Sequence, residues 1–219
     1  MREEDLNRIM EYKNNDPFIR IFDFLRFCLK EEAQEPANLE DMDWDELYAF
    51  GNKQAILGVL FHGIKKLSDS PHRPNKQQIL KWYAACSFIE QANRQAYKDA
   101  SALTTLLQEK YGVHGCVLKG QTNALMYPDP YMRTSGDIDL WTDAKTLDII
   151  RISRQLDPKG EIGYHHIELS YFKTPVEVHF FPSFMGNVWH EYKLRKFFDQ
   201  CKKEQIGRAS CRERVCLYV

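Results

Sequence analysis

The sequence predicts an α+β fold: a helical N-terminal region followed by a minimal mixed β-sheet flanked by helices. Three observations predict it. Apolar residues recur at helical spacing through residues 17–32, 54–67 and 76–111. The texture changes at Val113, after which short β-like runs alternate with short helical ones. Two of the later runs, residues 166–172 and 176–181, are separated only by Lys173-Thr174-Pro175, which reads as a hairpin. The expected organisation is a helical region over residues 1–112, an α/β core over 113–205 and a non-native tail over 206–219.

The elements follow in order. Residues 17–32 carry a broad apolar face and place a proline at the helix start, where its missing N–H costs nothing. Asp43 is placed to cap the next helix, and Glu46 three residues on completes a capping-box pattern. Residues 54–67 form an apolar helix, and Pro71 and Pro74 mark the loop after it. Residues 76–111 read as one long helix. Ile79, Tyr83, Cys86, Ile89, Ala92, Ala96, Leu103, Leu106 and Leu107 lie on one broad face, and Gly112 is its stop. Beyond it come a strand at Cys116-Val117-Leu118, a short helix over 121–127, a loop over 128–135 and a second strand over 136–141. A helix over 143–156 ends at Asp157-Pro158-Lys159-Gly160, the hairpin follows, and residues 189–201 form the last helix. The aromatic run Phe180-Phe181-Pro182-Ser183-Phe184 is expected in the core.

Composition narrows the function classes. A net charge of −1 over 219 residues gives no general nucleic-acid affinity and no polybasic membrane patch. No apolar run reaches the length of a membrane span, and the acidic start Met1-Arg2-Glu3-Glu4-Asp5 is unlike a secretory signal, so a cytoplasmic protein is expected. Cys28, Cys86, Cys116 and Cys201 are scattered through apolar patterns, as buried free thiols are, and no C-x-x-C pair suggests a structural zinc. Residues 206–219 have neither apolar period nor turn logic and resemble translated sequencing-adapter read-through; they are set aside, with the expectation that the native product continues beyond.

Chemistry concentrates around Asp137-Ile138-Asp139. Side chains two apart on a strand share a face, so two carboxylates stand side by side among apolar neighbours. Buried like charges repel, and a cation between them relieves the cost; a divalent metal carrying a phosphate meets that need. The triplet Asp41-Met42-Asp43-Trp44-Asp45 carries the same spacing but reads as carboxylates at a helix N-terminus. Upstream, Leu118-Lys119-Gly120-Gln121 turns from strand to helix through glycine, a place where backbone amides meet phosphate oxygens. Downstream, Val176-Glu177-Val178-His179 alternates, with Glu177 and His179 on one face. A third carboxylate on a neighbouring strand is what a two-metal phosphoryl site requires.

Taken together, Leu118-Lys119-Gly120, Tyr127-Pro128-Asp129-Pro130-Tyr131-Met132-Arg133, Asp137-Ile138-Asp139-Leu140 and Glu177-Val178-His179 resemble the bacterial uncharacterised nucleotidyltransferase family. That family lies within the nucleotidyltransferase superfamily of polymerase-beta-like fold, and the resemblance spans roughly residues 44–198. It implies metal-dependent transfer of a nucleoside monophosphate from an NTP to an acceptor hydroxyl, with release of pyrophosphate. Asp137 and Asp139 would bind Mg²⁺ (or Mn²⁺), Glu177 would complete the site, and the Gly120–Gln121 turn would cradle the β- and γ-phosphates. The chain departs from the superfamily where Gln121 replaces the usual Gly or Ser after the turn glycine. Lys119 reaches either a phosphate or the sheet edge, and Arg133 either the triphosphate or Asp137. His179 reads as structural, and His165 and His166 as orienting or packing residues ahead of a metal role. The acceptor stays open between protein, sugar, small molecule and RNA. Two other readings are an inactive or partner-dependent nucleotide-binding module of the same fold, and a sugar-nucleotide glycosyltransferase, which needs a larger sheet before Asp137.

Overall fold

A computed structural model describes residues 17–32, 34–134 and 136–202; the tail expected over 206–219, with Cys211 and Cys216, lies outside the described residues. The fold is mixed α+β, as the sequence predicts. The helices are α1 (Pro17–Leu29), α2 (Trp44–Lys53), α3 (Leu57–Lys66), α4 (Lys76–Tyr111), α5 (Gly120–Ala124), α6 (Thr146–Leu156) and α7 (Val188–Cys201), with 3₁₀ turns at Leu39–Asp41 and Pro130–Met132. The strands are β1 (Gly115–Val117), β2 (Ile138–Thr142), β3 (His166–Leu169) and β4 (Val176–His179). Among the described residues no helix is long and apolar enough to cross a membrane.

The chain forms two compact units. One comprises residues up to Gln91 together with Tyr127–Thr134; the other comprises Ala92–Met126 and the chain from Ser135 onward. The long helix α4 thus contributes its first half to one core and its second half to another. Hydrophobic burial decides this: Trp82 and Cys86 belong to the first core, whereas Ala100, Leu103 and Leu107 belong to the second.

The helical unit packs α1, α2, α3 and the start of α4 around Phe24, Leu47, Leu60 and Trp82. Asp43 caps α2, its carboxylate accepting from the amides of Asp45 and Glu46 at 2.9 and 3.0 Å. On α4 the structure departs from the expected stripe at two places, Tyr83 and Ala92, which are both exposed. Tyr83 is 60% exposed and Trp82 is 1% exposed, because Trp82 stands edge-on against Tyr48 at 5.1 Å between ring centroids. Gly112 ends α4 with φ +64°, the left-handed conformation of a helix C-cap. The described cysteines are all buried free thiols; burial pushes Cys28 up to about 12 and Cys86 up to about 11, so neither is a nucleophile at neutral pH.

The α/β unit is built on a four-stranded sheet of order β1-β2-β4-β3. β1 runs antiparallel to β2, β2 runs parallel to β4, and β4 runs antiparallel to β3. One sheet face presents Val117, Ile138, Leu140, Ile167, Val176 and Val178 to a core closed by Leu103, Leu107 and Ile149. The opposite face is divided. At one end Cys116 and Trp141 are covered by Phe198 and Cys201 of α7. The other end carries polar residues and is described below. The hairpin linker is anchored by Asp99 of α4, whose carboxylate accepts from the Thr174 amide at 2.9 Å and the Thr174 hydroxyl at 2.8 Å. Burial pushes Asp99 up, but these bonds and one from Gln95 outweigh it and hold the carboxyl below its usual range. The aromatic run expected in the core is split: Phe180 packs against the sheet core, while Phe184 is 49% exposed.

Candidate metal centre on the polar sheet face

Strand parity assembles the site. Asp139 on β2 stands in register with Glu177 on β4, and Trp141 with His179. His166 and Glu168 on β3 stand in register with His179 and Glu177. All of these therefore share one face. Asp137 lies one residue before β2 begins, so it belongs to the strand entry rather than to the ladder. Asp137, Asp139 and Glu177 each bring a carboxylate oxygen within 4.8 Å of the others. Three converging oxygens are the donor set that Mg²⁺ or Mn²⁺ prefers, so the residues fit such an ion.

The positive partner that the carboxylates need is partly supplied by the protein. Asp139 is 7% exposed, and its Oδ1 accepts from Lys119 Nζ at 3.0 Å and faces His179 Nε2 at 2.8 Å. Burial pushes the Asp139 carboxyl up, and the bonds from His179 and Lys119 outweigh it, leaving the group below its usual range and ionised at neutral pH. His179 is 0% exposed, and its Nδ1 is buried without a partner. A buried N–H without an acceptor is costly, so the proton sits on Nε2, where it is donated toward Asp139. Burial, with the neighbouring His179 and His166, holds His165 below the ordinary imidazole range.

The turn before β2 is strained. Lys119 adopts φ 48° and ψ −108°, a conformation natural to glycine. It is held there because Gly120 and Thr122 of α5 are buried, the Thr122 hydroxyl donates to the Val117 carbonyl at 3.3 Å, and Tyr97 donates to the Gln121 carbonyl at 3.0 Å. The side chain of Gln121, 3% exposed, turns inward and donates to the Asp137 carbonyl at 3.4 Å. Arg133 follows the 3₁₀ turn Pro130–Met132 and belongs to the helical unit. Backbone strain of this kind costs about 1–3 kcal/mol, whereas the pair from the largely exposed Lys119 ammonium to Asp139 returns about 1 kcal/mol at most. Lys119→Gly is therefore expected to leave the thermal midpoint unchanged or raise it. A fall of several degrees in a calorimetric scan would show that the ammonium outweighs the backbone.

A family model described as uncharacterised nucleotidyltransferase matches residues 40–203. The chain belongs to that family. No curated protein and no solved structure matches it. The nucleotidyltransferase match spans the described strands, the Lys119–Gly120 turn and all three carboxylates. It supports a nucleotidyltransferase function, and the mixed sheet is consistent with a fold of that type. Sequence reasoning understated one residue of this site. His179 read as structural, yet it is a direct partner of Asp139. The signal available was its parity with Glu177, two residues away on the same strand.

Proposed function

We propose that this chain transfers a nucleoside monophosphate from an NTP to an acceptor hydroxyl, using Mg²⁺ or Mn²⁺ held by Asp137, Asp139 and Glu177. The observation that carries the reading is the parallel register of Asp139 with Glu177, which sets carboxylates of two strands side by side with Asp137 at the strand entry. When bound, the divalent ion neutralises phosphate charge and lowers the pKa of the attacking hydroxyl. The chain's own residues do the rest. Asp139, kept ionised by His179 and Lys119, holds its oxygens in a fixed place. Glu177 accepts the proton of the acceptor hydroxyl as its oxygen bonds to the α-phosphorus and the bond to the pyrophosphate oxygen breaks. Lys119, 56% exposed along its side chain, is free to swing from Asp139 to the β- or γ-phosphate. The Gly120–Gln121 turn lines the same approach.

One observation favours a second reading, a nucleotide-binding module without turnover. Gln121 is turned onto the Asp137 carbonyl, so its bulk stands where the superfamily carries a small residue. A glycosyltransferase is disfavoured, because among the described residues no strand precedes β1. The test is to incubate the full chain with Mg²⁺, each α-labelled NTP and mixtures of protein, sugar, small-molecule and RNA acceptors. Labelled acceptor with equimolar pyrophosphate is the expected result. Tight NTP binding without pyrophosphate supports the binding module. A folded chain that binds neither NTP nor Mg²⁺ overturns both.

A further inference from the structure

Beside the oxygen triad, the same face carries a nitrogen-rich cluster of His165, His166, His179 and Glu177, whose ligand atoms all lie within 4.8 Å of one another. His166 Nδ1 lies 3.4 Å from His165 Nε2 and 3.3 Å from Glu177 Oε2. His179 Nε2 lies 3.3 Å from the same Glu177 oxygen. Its Nε2 faces Asp139 at 2.8 Å. Three imidazoles and one carboxylate thus bring their ligand atoms together on one face.

The spacing has a metrical meaning. A tetrahedral ion with bonds of about 2.0–2.1 Å to nitrogen and oxygen has ligand–ligand edges of about 3.3–3.4 Å. The two edges that meet at His166 Nδ1 have these lengths. The far nitrogen of His166, Nε2, lies 4.0 Å from Glu168 Oε1, beyond hydrogen-bond reach.

We propose that His165 Nε2, His166 Nδ1 and Glu177 Oε2 form a second cation site, which takes one divalent ion of the Zn²⁺ or Co²⁺ class and leaves a coordination position open. His179 is a positioning residue for it, its Nε2 facing Asp139 at 2.8 Å and lying 3.3 Å from Glu177 Oε2. Two imidazoles select against Mg²⁺, which prefers oxygen. Glu177 is then common to two sites of different ligand class. The inference does not rest on the transfer reaction, since the ligand set stands on geometry alone.

The test uses the full chain, stripped with chelator and titrated with Co²⁺ in the presence of millimolar Mg²⁺. One Co²⁺ is expected to bind with the intense visible absorption of a four-coordinate ion. His165→Ala and His166→Ala are expected to weaken binding at least about tenfold, and Asp137→Asn to leave it within about twofold. Binding that is indifferent to the histidines, or lost equally in Asp137→Asn, assigns the ion to the oxygen triad and overturns the proposal, as does the lack of any binding. Should either histidine variant fail to fold, X-ray absorption of the wild-type Zn²⁺ complex decides: two imidazole scatterers support the site, and none overturns it. A chain that keeps this Co²⁺ signature yet releases no pyrophosphate separates failure of the transfer reading from failure of the site.

Discussion

Asp139→Asn is expected to lower nucleotide transfer at least about 1,000-fold while leaving the chain folded. The substitution keeps the size of the side chain and an oxygen that can accept from His179 Nε2, the shortest contact in the site at 2.8 Å. It removes the charge, and charge is what a divalent ion and its phosphate require at this position. The stability cost is expected near 1 kcal/mol, the scale of one net hydrogen bond, because the Lys119 and His179 donors lose only the ionic part of their interaction. Transfer rates for wild type and variant, with circular dichroism melts on the same samples, measure both quantities. Wild-type turnover in Asp139→Asn would remove the carboxylate triad from the chemistry. A variant that fails to fold would instead show that the buried carboxylate anchors the β2–β4 pair.

The largest effect on stability is expected at Gly58, far from any chemistry. A Cβ added there would stand 2.0 Å from the Met132 carbonyl oxygen, 2.7 Å from Met132 Cβ and 2.8 Å from its carbonyl carbon. These are mostly backbone atoms, which cannot rotate away. Gly58→Ala is therefore expected to cost about 3 kcal/mol or more, at the upper end of overpacking effects. It should also loosen the Tyr127–Thr134 segment that packs with α3 and carries Arg133. Gly186→Ala is the matched control, since an added Cβ there meets nothing within 4 Å. Urea denaturation of the two variants settles the comparison. A Gly58→Ala midpoint equal to that of Gly186→Ala would mean that the close approach of α3 to Met132 is not as described.

Much of the fold is legible in the chain. The long helix shows its bounds because no proline or glycine interrupts the chain from Lys76 to Tyr111 and a left-handed glycine follows. The cap at Asp43 is readable because capping is a local bond between neighbours in sequence. Strand ends are less legible: the run expected over 136–141 forms as Ile138–Thr142, since a ladder ends where its partner ends. The stripe on α4 missed Trp82 for a related reason. Periodicity marks which face is apolar, but the edge of that face is decided by the partner, here Tyr48.

The candidate site divides along the same line. The residue types and their spacing, two carboxylates two positions apart and a third two positions before a histidine on a later strand, were determined by the sequence alone, because the alternation of side chains along a strand is a local property. Only the tertiary structure decided that β2 and β4 pair in parallel, that Asp139 therefore faces Glu177, and that His179 and Lys119 close on Asp139. Pairing order and register depend on which apolar faces can be buried together, and that choice is made by the whole core of Ile138, Leu140, Val176 and Val178 with Leu103 and Leu107. A short motif states which groups are available; the packing of residues distant in sequence brings them within reach of one ion.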